Sequence, residues 1–201
     1  MNSRIELSGK KIKPAALLAL FAFAPVLAQA HPGHVPGNSF SGGLSHPLSG
    51  LDHILAMVAV GLWAAQLGGR SLWAVPAAFV SLMAVGGALG MMGVPLPMVE
   101  TGILVSVLVM GLLIATAARL PLGVSVLVVG LFAIFHGHAH GTEIPVAASG
   151  FQYALGFVLA TAMLHACGIG LGLLAQRRLS VPAIRMAGAG IVLGGLCLCL
   201  G

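Results

Sequence analysis

Two short segments hold seven of the twelve His, Asp and Glu residues of the chain, side chains able to ligate a metal ion. One is His46-Pro47-Leu48-Ser49-Gly50-Leu51-Asp52-His53, and the other is Phe135-His136-Gly137-His138-Ala139-His140-Gly141-Thr142-Glu143. At about 100° per residue, a helix over the first segment puts His46, Gly50 and His53 on one face. Two imidazoles then stand about two turns apart, with Gly50 leaving room between them. Pro47 suits the first turn of such a helix, where its missing N–H costs little. Asp52 is displaced around the helix, either as a direct ligand or as an acceptor orienting a histidine of a neighbouring helix. In the second segment, a continued helix aligns His136, His140 and Glu143, while His138 points elsewhere. Histidines at i and i+4 are a common grip on a single ion. Gly137 and Gly141 also allow the helix to unwind here, which would free carbonyls as ligands.

Imidazole suits zinc, copper, iron and nickel, whereas carboxylate suits harder ions. A mixed set without thiolate favours a borderline divalent ion, and residue types alone do not separate Ni2+ from Co2+, Zn2+ or Cu2+.

The elements that must position these residues are membrane helices. The chain is 59% hydrophobic and only 6% charged, against about 25% charged in soluble domains, so lipid is the expected solvent. Arg4, Lys10, Lys11 and Lys13 precede an apolar run, Pro14 to Leu27, and a small-x-small site, Ala28-Gln29-Ala30. This pattern predicts a signal peptide over 1–30, cleaved to leave His31 as an outward-facing N-terminus. Residues 31–201 then form one transport domain. Six apolar stretches, at about 46–66, 71–92, 98–118, 121–138, 150–175 and 181–200, approach the ~20 residues that a spanning helix needs. The expected fold is all-α: a polytopic bundle of six transmembrane helices after a cleaved signal peptide.

Charge orients the bundle. With His31 outside, Arg70, Arg119, Arg177, Arg178 and Arg185 all fall on the cytoplasmic side, as the positive-inside rule requires. The net charge of +5 is therefore topological and excludes a nucleic-acid footprint. Asp52, Glu100 and Glu143 fall at the outer side, with seven of the eight histidines. Ionisable groups at membrane depth are expensive and usually functional. Small-residue pairs Gly86/Gly90, Gly168/Gly172 and Gly190/Gly194 predict close helix packing. A homo-oligomer stays open.

Other candidates have narrower roles. His31 and His34 could capture metal outside the membrane. His165, with Thr161 one turn before it, lies deeper; it is either an inner station on a path or a histidine hydrogen-bonded between helices. Met91, Met92 and Met98 suit apolar packing better than soft-metal ligation. Cys167, Cys197 and Cys199 sit in apolar runs and give no disulfide framework. No P-loop is present, so the sequence holds no ATPase domain to drive transport.

The two histidine motifs, the signal peptide, the six-span layout and the length together resemble the HupE/UreJ family of nickel-uptake membrane proteins. That resemblance implies nickel supply for hydrogenase or urease maturation. It also implies that His46, Asp52 and His53, with His136, His140 and Glu143, are the functional residues. His138, His31, His34, Glu100 and His165 are secondary candidates. An enzyme is not expected, since no nucleophile motif or acid–base pair is evident. The alternatives to transport are a membrane metalloenzyme and a metal receptor without flux.

Overall fold

The computed structural model describes residues 39–144, 149–178 and 181–200. The expected signal peptide, His31 and His34 lie outside the described residues. Within them are seven helices and no strand: α1 Ser39–Ser49, α2 Leu51–Leu67, α3 Ser71–Met91, α4 Val99–Ala115, α5 Leu122–Thr142, α6 Gly150–Arg178 and α7 Val181–Leu200.

Four of them, α3, α5, α6 and α7, are long and apolar enough to cross a membrane. The pair α1 and α2 passes the same test together but is bent by 82°. α4, at 17 residues, is apolar but shorter. The chain is a multi-pass membrane helix bundle.

The break at Gly50 corrects the expectation of one continuous helix from residue 46. Pro47 lies near the end of α1, not in a first turn. A proline inside a helix removes one backbone donor and crowds the preceding turn. Two residues later the helix stops, and Gly50 takes an extended conformation (φ −102°, ψ 125°) before α2 begins. Residues 39–45, outside the expected spans, are also helical.

α2 is the central helix. Residues 56–65 are all buried, as expected of a helix apolar on every side. α3 pairs with α5, α1 and α2 with α6, and α4 with α7. Large apolar side chains such as Trp73, Leu127, Phe151 and Met163 face outward, which suits a surface solvated by lipid.

Glycine sets the closest contact, between α3 and α5. A Cβ at Gly137 or Gly141 would overlap the backbone of Met83 or Gly87, and one at Gly86 or Gly90 would overlap the carbonyls of Ile134 or His138. The glycines of the second motif therefore serve packing, and α5 continues as helix through Thr142 instead of unwinding. Gly168 likewise packs against Val58 and Gly61. Gly190 meets no neighbouring atom within 4 Å, whereas a Cβ at Gly194 would lie 3.0 Å from Leu55 of α2, so of the third expected pair only Gly194 faces another helix.

The two ends of the bundle differ. At one end, Trp63 Nε1 donates to Ala118 O (3.0 Å), Gln176 Nε2 to Ala65 O (2.8 Å) and Arg185 Nε to Ala115 O (2.8 Å). These bonds gather the arginine-bearing helix ends. At the other end, Ser149 N donates to Ser39 Oγ (2.8 Å) and His138 Nε2 to Val94 O (2.7 Å). The histidine-rich segments are at this second end.

Candidate metal site

The site forms where α1, α2 and α5 meet. His46, on α1, puts Nε2 3.1 Å from Glu143 Oε2, at the C-terminal cap of α5. His140 Nδ1 lies 3.6 Å from the same oxygen. One ligand atom from each of His46, His140 and Glu143 lies within 4.8 Å of the other two, close enough to share an ion. The imidazoles of His140 and His46 hold the Glu143 carboxyl well below the usual carboxylate range, so it stays anionic.

Below this trio the imidazoles continue inward. The His53 ring lies 4.4 Å from that of His140, and His136 lies 5.1 Å from His53, centroid to centroid. Because the backbone bends at Gly50, His46 and His53 reach His140 from two helices, not from one face of a single helix. His46 is 4.6 Å from His140.

Hydrogen bonds set which ring nitrogens are free. His53 Nδ1 donates to Asp52 Oδ1 at 2.8 Å, leaving Nε2 with its lone pair. Asp52 thus orients its own neighbour, not a histidine of another helix. Ser106 Oγ–H donates to Ile103 O at 2.6 Å. The 3.0 Å contact between Ser106 Oγ and His136 Nε2 must then be donated by the imidazole. That leaves the lone pair of His136 on Nδ1.

His53 Nε2, His136 Nδ1 and both nitrogens of His140 are buried with no hydrogen-bond partner among the described residues. A buried polar atom without a partner costs roughly 1–3 kcal/mol. A cluster of them on adjacent rings suits a cation, for which each lone pair is a ligand.

The remaining candidates stand apart. His138 spends Nε2 on the Val94 carbonyl and ties α5 to the segment after α3. Glu100 is exposed in the first turn of α4, outside the trio. His165 is buried on α6 and touches Phe79 instead of the trio. The three cysteines are exposed. Ser106 had no marker in the sequence beyond being a polar residue in an apolar run.

A family model described as HupE / UreJ protein matches residues 18–198. The chain belongs to the HupE/UreJ family. It is 48% identical over 193 residues to Protein HupE of Rhizobium leguminosarum bv. viciae, covering 96% of this chain and 100% of that relative. No solved structure matches. Within this family member, both motifs from the sequence converge at one end of the bundle, and the cluster draws on α1, α2 and α5.

Proposed function

We propose that this HupE/UreJ protein carries a divalent transition metal ion, nickel first, inward across the bacterial inner membrane. The observation that carries this reading is the approach of His46, His140 and Glu143 within 4.8 Å. Two neutral imidazoles and one carboxylate make a borderline donor set, suited to Ni2+ and close to what Co2+, Zn2+ or Cu2+ would accept. The trio lies at the entrance, and His53 and His136 receive the ion next. Few ligands per layer keep the ion exchangeable, as transport requires.

The arginine-bearing end faces the cytoplasm, by the positive-inside rule, so the trio opens to the periplasm. Six spans follow if the bent α1–α2 pair and the short α4 each cross. The first 30 residues serve as the cleaved signal peptide. Nickel delivered this way supplies hydrogenase or urease maturation.

The test is nickel uptake into liposomes holding the purified protein, with cobalt and zinc as competitors. His46→Ala, Asp52→Ala and His53→Ala should each lower uptake at least tenfold. A protein that binds nickel without moving it would show bound metal and no uptake, and would be a receptor.

A further inference from the structure

His165 belongs to neither motif, yet it is buried and neither ring nitrogen has a hydrogen-bond partner among the described residues. A histidine bridging two helices would have one. Its surroundings hold other donors. Thr161, one turn earlier on α6, donates its hydroxyl to Met83 Sδ at 3.6 Å. Phe79, one turn from Met83 on α3, stands edge-on to the His165 ring at 5.0 Å and 89°. The other neighbour of Phe79 is His136, at 5.6 Å. Phe79 thus links the outer imidazole His136 to His165, which lies one turn further from the outer end of α6 than Thr161 and its partner Met83.

A cavity lies beside His140 and Met83. It has a volume of about 80 Å³, and its lining includes His140, Met91, Tyr153, Phe157 and Met83. One water needs only ~10–15 Å³ on the same measure. Met91 is half-exposed and Met83 buried. At 1.5 Å per residue, the two lie roughly 12 Å apart along α3. The cavity therefore borders His140 of the outer trio at one place and Met83, the partner of Thr161, at another.

We propose that Met83, Thr161 and His165 form an inner station that holds the cation after it leaves the outer cluster and before release toward the arginine-bearing end. This station presupposes the outer cluster proposed above. One imidazole nitrogen, one thioether and one hydroxyl are a weak donor set, as a transit point needs.

The test compares Ni2+ binding to purified protein, by equilibrium dialysis, with Ni2+ flux into liposomes at saturating external metal. His165→Phe should bind Ni2+ within twofold of wild type while flux falls at least tenfold. Met83→Leu, similar in volume, should retain binding and lose at least threefold in flux. Wild-type flux in His165→Phe overturns the station. Should His165→Phe lose binding as well, through damaged packing, Met83→Leu decides: wild-type flux overturns the station, and reduced flux with intact binding upholds it. His140→Ala tests the underlying reading separately, since wild-type binding there sinks the outer cluster whatever His165 does.

Discussion

Glu143 Oε2 lies 3.1 Å from His46 Nε2, which brings the cap of α5 against the helix before the Gly50 bend. Because both groups are ligand-capable, an ion held between them can keep the two segments together. Glu143→Gln preserves shape and removes the charge. It should weaken Ni2+ binding about 10–100-fold, by analogy with the loss of other groups that tune a metal site. Isothermal titration of the purified protein checks this, and unchanged affinity would remove Glu143 from the site.

Ser106 fixes the His136 ring so that Nδ1 carries the lone pair. Ser106→Ala should leave helix content and thermal stability close to wild type and lower nickel uptake about tenfold or more. Ring-nitrogen shifts of labelled histidine report the tautomer directly. A His136 still protonated on Nε2 in Ser106→Ala would show that the serine is not what orients it.

Glycine substitutions should divide by what surrounds them. At Gly50 a Cβ would lie 2.6 Å from Asp52 Oδ1 and 2.8 Å from His53 Nδ1. Gly50→Ala should therefore disturb that pair and reduce uptake. At Gly137 the obstacle is the backbone of α3, so Gly137→Ala should destabilise by on the order of 1–3 kcal/mol. Gly190→Ala meets open space and should match wild type in both respects. Thermal unfolding in detergent, with uptake measured in parallel, separates the three.

Acid should weaken metal binding, because each ligating imidazole must be neutral. Glu143 does not cause this loss. Its carboxyl is depressed by His140 and His46, so its contribution is present above the ordinary carboxylate value and is lost only as pH falls through the depressed one. Between pH 7 and pH 5 the binding curve of Glu143→Gln should run parallel to wild type, displaced to weaker affinity. Ni2+ titrations across that range check it, and a Glu143→Gln curve that is flat would assign the acid sensitivity to the carboxylate.

The helical class and both motifs are legible in the sequence because apolar run length and the rarity of ionisable groups in lipid are local properties. The convergence of His46 with His140 and Glu143 follows from two helices having their histidine-rich ends on the same side. The bend at Gly50 is not legible, since Pro47 reads equally as a first-turn residue and only the packing of α1 on α6 decides. Gly137 and Gly141 mislead for a similar reason: glycine marks both unwinding and close approach, and α3 supplies the missing neighbour. Ser106 is silent because a lone serine in an apolar run gains meaning only from the imidazole opposite.

The role proposed for the outer imidazole and carboxylate cluster is to admit nickel to the bundle. Radioactive nickel entry into proteoliposomes, wild type against His140→Ala, measures that role. The cluster predicts saturable entry in wild type, competed by cobalt, and at least a tenfold loss in the variant. Equal entry in both, or none in wild type, would contradict it.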